Sequence, residues 1–149
     1  MPNPTSTSNP PLVSVCMITY GHEKYIEEAI NSVLMQECDF DFEFIISNDC
    51  SPDATDSVIR SILNTHPESS PIVYHKQEKN LGMMPNFLFA LDQCKGDFIA
   101  VCEGDDFWTD KLKLQKQVDF LRENEDCSLC FHNASIYYWK KRSNKIICK

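Results

Sequence analysis

Residues 12–36 read LVSVCMITYGHEKYIEEAINSVLMQ, and the change of period inside this stretch decides the fold. Residues 12–19 form a near-continuous apolar run, the pattern of a central parallel strand covered on both faces. Beyond Tyr20-Gly21, apolar residues recur at Tyr25, Ile26, Ala29, Ile30, Val33 and Leu34. That spacing is one face of an amphipathic helix over residues 22–36. A buried strand feeding such a helix is the first half of a β-α-β unit.

The unit repeats along the chain. Residues 42–47 read as a second strand, and Asn48-Asp49-Cys50-Ser51-Pro52-Asp53 as a turn. Ser51 before Pro52 suits a helix N-cap with proline at the first helical position. The helix that follows turns Val58, Ile59, Ile62 and Leu63 inward and ends near His66-Pro67. Residues 71–76 are a short third strand, Asn80-Leu81-Gly82 a turn, and residues 85–94 a third helix. A fourth strand over residues 97–101 runs into Cys102-Glu103-Gly104-Asp105-Asp106-Phe107-Trp108, and a helix follows over about residues 110–123. Residues 127–138 are β-rich, and Lys141-Arg142-Ser143-Asn144 is a hairpin turn ahead of Ile146-Ile147. This order predicts an α/β fold with a mostly parallel central sheet flanked by helices. Right-handed crossovers then set Thr19, Asn48-Asp49 and Asp105-Asp106 along one edge of that sheet.

Composition narrows the class. The chain has 149 residues, 42% of them apolar and 24% charged, which is ordinary for a soluble domain. Its net charge of −8 argues against unassisted binding of nucleic acid or anionic membrane. A phosphate ligand needs a cation, local Lys/Arg or helix N-termini to offset that field. No apolar run reaches the roughly 18 residues of a membrane span. Residues 1–11, MPNPTSTSNPP, lack the basic and apolar regions of a signal peptide and read as a flexible lead-in. Cys127-x-x-Cys130 has metal-like spacing but no second pair, so the eight cysteines read as core or half-buried thiols of a reducing cytoplasm. Met83-Met84 reads as core.

The acidic strand end carries the chemistry. Ligands of open α/β sheets sit outside the carboxyl ends of the strands, where Asp49, Asp105 and Asp106 are predicted. Glu103, Asp105 and Asp106 are three carboxylates within four positions, and crowding of that kind is costly to desolvate. Mg²⁺ or Mn²⁺, held by one or two carboxylates and by phosphate oxygens, relieves it and suits the acidic chain. The plainer alternative is a set of solvated loop acids that cap the next helix.

Four segments then resemble family 2 glycosyltransferases of the inverting GT-A type: VSVCMITYGHEKYIEEAINSVLMQ, FEFIISNDCSPDAT, NLGMMPNFLFALDQCKGDFIAVCEGDDFWTD and KLKLQKQVDFLREN. They keep the family's order and spacing over about residues 12–135. The resemblance implies a Rossmann-like nucleotide-diphospho-sugar transferase fold, truncated, with residues 12–149 as the nucleotide-sugar-binding domain. It matches CEGDD to the family's DxD-type signature, with Asp106 as metal ligand and Asp105 on the ribose or beside the metal. It matches Asp49 to the acid that reads the base, and a carboxylate accepting from a uracil N3–H favours uridine. The family often has two acids there, whereas this chain has Asn48-Asp49. Thr19 and Tyr20 match the loop flanking the base, and Asn80 and Gly82 the loop facing ribose and phosphates. A basic residue frequent early in the next helix is replaced here by Pro85, Asn86 and Phe87, which leaves Lys76 and Lys79 as candidate helpers. Phe107 and Trp108 either line the sugar side or pack on the next helix, and His132 reads as a satisfied strand histidine.

An inverting transferase needs a general base for the acceptor hydroxyl. In the family that base is an aspartate well downstream of the DxD-type motif, and no Asp or Glu follows Asp126 here. The expectation is a donor-binding half of a metal-assisted transferase acting on a saccharide or lipid-linked acceptor, cytoplasmic and at the inner membrane face. A nucleotide-sugar-binding domain without turnover is the alternative. A receiver-like signalling domain fits less well, because the third strand ends in Lys76-Gln77-Glu78 with no aspartate.

Overall fold

The computed structural model describes residues 10–136 and 145–147. Most of the lead-in (residues 1–9) and the hairpin turn at residues 141–144 therefore lie outside the described residues. The chain divides into two compact units, residues 1–115 and 116–149.

The first unit carries a four-stranded parallel sheet in the order β3-β2-β1-β4. Its strands are β1 (Val13–Thr19), β2 (Phe42–Asn48), β3 (Ile72–Lys76) and β4 (Phe98–Val101). The helices between them are α1 (Ile26–Leu34), α2 (Thr55–Thr65) and α3 (Met83–Gln93). The chain steps outward from β1 to β3 and then returns to lay β4 on the other side of β1. Right-handed crossovers therefore put α1 and α2 on one face and α3 on the other. Alternation along β1 sorts the core accordingly: Cys16 packs with Ile45 and Ala90 beneath α3, while Val13, Val15 and Met17 are buried on the opposite face. The strand order reverses between β1 and β4, the place where open α/β sheets bind ligands.

Register brings the strand ends level. Thr19 pairs with Asn48, and Asn48 with Lys76. β4 stops beside Cys16, but the ladder continues through Cys102 N–H to Cys16 O at 3.1 Å and Gly104 N–H to Ile18 O at 3.0 Å. The acidic turn thus runs alongside the last residues of β1. Beyond it, the chain descends beside the end of α1. Gln36 Nε2 donates to Asp110 O at 2.9 Å, and its Oε1 accepts from Leu114 N–H at 3.1 Å.

Four helix starts differ from the sequence expectation; α1 begins at Ile26 rather than residue 22. α2 begins at Thr55 rather than after Ser51-Pro52. The Ser51 hydroxyl donates to Asn48 Oδ1 at 2.6 Å and accepts from Gly21 N–H at 3.1 Å, which ties two loops together instead of capping a helix. α3 begins at Met83, two residues before Pro85, because Gly82 at φ 90° turns the chain directly into the helix. Met83 and Met84 consequently sit on the first turn, 66% and 54% exposed, and are not core. α4 (Lys113–Glu123) starts later than residue 110.

In the second unit, β5 (Ala134–Ile136) pairs antiparallel with β6 (Lys145–Ile147). Residues 127–133 form no strand, so Cys127, Cys130 and His132 are not strand residues. His132 is exposed, with Nδ1 2.9 Å from the neighbouring Asn133 carbonyl.

Candidate functional site

All six residues expected to bind a nucleotide-sugar line one cleft of about 260 Å³ at the carboxyl edge of the sheet. Thr19 and Tyr20 come from the end of β1, Asp49 from the end of β2, Asn80 and Gly82 from the turn before α3, and Asp105 from the turn after β4. Residues up to 86 positions apart in sequence meet there because the parallel strands end level. Asp106 is not among the lining residues; it is exposed on the same turn, beside Asp105.

Asp49 is the most constrained of the six. Only 3% exposed, it accepts from Leu81 N–H at 2.7 Å through Oδ1 and from Gly82 N–H at 2.9 Å through Oδ2. Its own N–H donates to Thr19 O at 3.0 Å. One carboxylate thereby joins the ends of β1 and β2 to the turn that opens α3, and each of its oxygens keeps a second lone pair. The next residue, Cys50, has φ 57°, a left-handed conformation that a side chain adopts at a cost.

On the other side of the cleft, Gly104 is held against β1. A Cβ there would lie 2.6 Å from Thr19 Oγ1 and 3.0 Å from His22 Nδ1, so only glycine lets the acidic turn approach this closely. His22 Nδ1 is 3.2 Å from Thr19 Oγ1, and His22 Nε2 is 3.9 Å from Asp105 Oδ2. Although Asp106 reaches solvent, the protein atoms packed around its carboxyl partly desolvate it; that, then the neighbouring Asp105 charge, raises it above its ordinary value, and His22 partly offsets this.

His22, Met83, Asn86 and Glu103 also line the cleft. The sequence pattern places His22 at the start of a helix, whereas α1 begins at Ile26; its position three residues past a strand end is the signal that marks it. Asn86, which stands where a basic residue was expected, is 1% exposed and structural. It accepts from the Ser47 hydroxyl at 2.6 Å and donates to Ser47 O at 3.1 Å. Lys76 is committed elsewhere, to Asp56 at 2.8 Å, and neither it nor Lys79 lines the cleft. Trp108 is 7% exposed beneath Lys113, whose Nζ stands 4.1 Å from the ring centroid, so it packs against the next helix. Phe107 and Trp108 border a separate groove along α1 rather than the cleft at the sheet edge.

The donor set suits a hard divalent cation. Among the described residues no three His, Cys, Asp or Glu side chains are gathered into a ready-made cage. Two adjacent carboxylates, one of them raised by desolvation and then by the charge of the other, match a cation that takes one or two protein ligands and completes its shell with phosphate oxygens and water. Cys102, just before the acidic turn, is no competitor. Burial, then Asp106, push its thiol up to about 12 and keep it neutral.

The family model for Glycosyl transferase family 2 matches residues 14–146, and the chain belongs to that family. Abequosyltransferase RfbV of Salmonella typhimurium is 35% identical over 120 residues, which cover 80% of this chain and 35% of that protein. TarS 1–349 of S. aureus, solved in complex with UDP, superposes with a TM-score of 0.65 at 31% identity, over 76% of this chain and 32% of that 1–349 chain. The mannosyltransferase PcManGT of Pyrobaculum calidifontis, solved with GDP-Man and Mn²⁺, shares the fold, with a TM-score of 0.66 at 24% identity over 76% of this chain and 33% of that one. The fold is therefore that of the GT-A glycosyltransferases, of which the chain covers part. It spans between 35% and 48% of the length of the curated relatives it matches. No helix among the described residues is long and apolar enough to cross a membrane.

Proposed function

We propose that residues 12–149 are the nucleotide-sugar-binding part of a glycosyltransferase. It moves a sugar from a UDP-sugar to a saccharide or lipid-linked acceptor, with inversion at the anomeric carbon. The observation that supports this best is the convergence of Thr19, Tyr20, Asp49, Asn80, Gly82 and Asp105 on one cleft. TarS, solved with UDP at 31% identity, supports a uridine nucleotide.

In this reading Tyr20, 48% exposed, covers one face of the base, and Asp49 uses its second lone pairs to accept from the base N3–H. Asn80 and Gly82 bound the ribose and phosphates, and Asp105 faces the ribose. Asp106, with Asp105, holds Mn²⁺ or Mg²⁺. The bound cation supplies Lewis-acid assistance to the departing nucleoside diphosphate. No cleft residue is assigned as general base, a role that the family resemblance places downstream of this stretch. In this reading the cleft contributes donor binding rather than the general base.

Thermal unfolding with UDP or GDP, in Mn²⁺ and in EDTA, tests the proposal. UDP with Mn²⁺ is expected to stabilise by about 2.7 kcal/mol at roughly 100 times its Kd. Asp106→Asn is expected to keep the fold and lose that metal-dependent gain. Equal stabilisation in EDTA would refute the metal assignment, and no stabilisation by either nucleotide would refute the donor site.

A further inference from the structure

We propose that His22 contacts the donor's diphosphate through its Nε2–H, with the ring held at Nδ1 by Thr19. The inference deepens the nucleotide-sugar reading and rests on it.

The need for such a donor follows from charge. The cleft is walled by Asp49, Glu103 and Asp105, in a chain of net charge −8, and a diphosphate has to enter it. The first turn of α3 supplies Met83, Met84 and Pro85 and no cation, and Lys76 is paired with Asp56. Among the described residues that line the cleft, His22 is the one basic side chain.

Geometry makes it available. The His22 N–H donates to Thr55 Oγ1 at 3.0 Å, and its carbonyl accepts from Tyr25 and Ile26 at 2.9 Å each, so the backbone is held from both sides. The ring is fixed by Thr19 Oγ1 at 3.2 Å from Nδ1, with the Gly104 backbone packed against both groups. A lone pair at Nε2 would face the Asp105 carboxylate 3.9 Å away, which is repulsive. Nε2 therefore carries a proton and presents it toward Asp105 and the cleft, while Nδ1 keeps its contact with Thr19 Oγ1. At 3.9 Å the Asp105 oxygen is beyond hydrogen-bond range, so the Nε2–H has capacity for an incoming phosphate oxygen. Gly104 completes the device: any larger residue would push the turn off Thr19 and His22.

The test compares uridine, UMP and UDP, titrated calorimetrically with Mn²⁺ present throughout, on this chain and on His22→Asn, His22→Phe and His22→Gln. Asparagine is too short to reach, phenylalanine keeps the ring without a donor, and glutamine restores an amide N–H near Nε2. The parent's preference for UDP over UMP is expected to shrink on the order of 10- to 100-fold in His22→Asn and His22→Phe, the range for a hydrogen bond to a charged group. Uridine affinity is expected to stay within about twofold, and His22→Gln to recover part of the UDP preference, because only the diphosphate contact is altered. A purely structural role would weaken uridine and UDP alike, and that outcome, or a parent-like UDP preference in both losing variants, overturns the inference while leaving the donor site standing. Failure of the parent itself to bind any of the three removes the nucleotide-sugar reading, and this inference with it.

Discussion

Asp49 invites two different experiments, because the structure gives its carboxylate a task that needs no nucleotide. Its two oxygens accept from the Leu81 and Gly82 amides at 2.7 and 2.9 Å while the side chain is almost wholly buried. In Asp49→Ala both amides lose their partner at the point where the chain enters α3. A hydrogen bond to a charged group contributes about 1.5–3 kcal/mol, and removing the buried carboxylate returns some of its desolvation cost, so a net loss of about 2–4 kcal/mol is expected. For a chain of this length that corresponds to a fall in Tm of about 4–16 °C. Asp49→Asn keeps one acceptor but sets an amide N–H against a backbone N–H, so it is expected to recover less than half of the loss. The assay is urea unfolding of the nucleotide-free protein, with hydrogen exchange read at Leu81 and Gly82. Those two amides are expected to exchange faster in both variants, and amides in the middle of β1 to keep their parent order of protection. If Asp49→Ala unfolds at the parent midpoint with unchanged exchange at residues 81 and 82, the tie between strand and turn is wrong, and the carboxylate serves the base alone. A loss of UDP affinity in Asp49→Ala is therefore evidence of base reading only after the loop effect has been measured.

Two further expectations come from other residues. Gly104→Ala places a methyl 2.6 Å from Thr19 Oγ1 and 2.7 Å from Thr19 Cβ. It is expected to destabilise by about 1–3 kcal/mol in chemical unfolding, and a change below about 0.5 kcal/mol would show that the turn moves freely. Asp56 is pushed up by burial, but hydrogen bonds from Lys76, Tyr74 and Arg60 outweigh this and hold its carboxyl at about 2. Its folded value lies below the unfolded one, so its contribution of about 2 kcal/mol is present above about pH 4 and lost as pH falls toward 2. Asp56→Asn is expected to be less stable by that amount at pH 7 and equal to the parent near pH 2, in urea titrations at both; a constant difference would refute the linkage.

The strands and the edge they share were legible because each is a short apolar run of β-branched and aromatic residues, and because right-handed crossovers leave few arrangements. The family motifs added which loops line the cleft. Helix boundaries were less legible, since Ser51-Pro52 has the local chemistry of a cap while the actual partners of Ser51 are Asn48 and Gly21. Met83-Met84 misled for a related reason: apolar residues read as core until the start of the helix is known, and Gly82 moves that start two residues forward. Long-range polar contacts were not legible at all. Nothing in the run Ser47-Asn48-Asp49 says that the acid will accept amides 32 and 33 positions away. His22 belongs with these, because its role depends on a glycine 82 residues further on.

The neutral residue before Asp49 follows from the same network. Asn48 is fully buried; its Nδ2 donates to the Tyr74 hydroxyl at 2.9 Å, and its Oδ1 accepts from the Ser51 N–H and hydroxyl at 2.9 and 2.6 Å. Tyr74 in turn gives its own proton to Asp56 at 2.7 Å. A carboxylate at position 48 would keep both Ser51 donors but turn an oxygen toward a Tyr74 oxygen whose hydrogen is already committed. In a buried position that contact is repulsive and leaves a charge half satisfied. An amide is the group that donates on one side and accepts on the other, so Tyr74 and Asp56 together dictate asparagine. The departure from the family's paired acids is thus a consequence of the β2–β3 side of the sheet. It leaves the remaining acid, Asp49, as the single carboxylate between the ends of β1 and β2 and the turn before α3, and its position rests on hydrogen bonds to that turn rather than on a neighbouring charge.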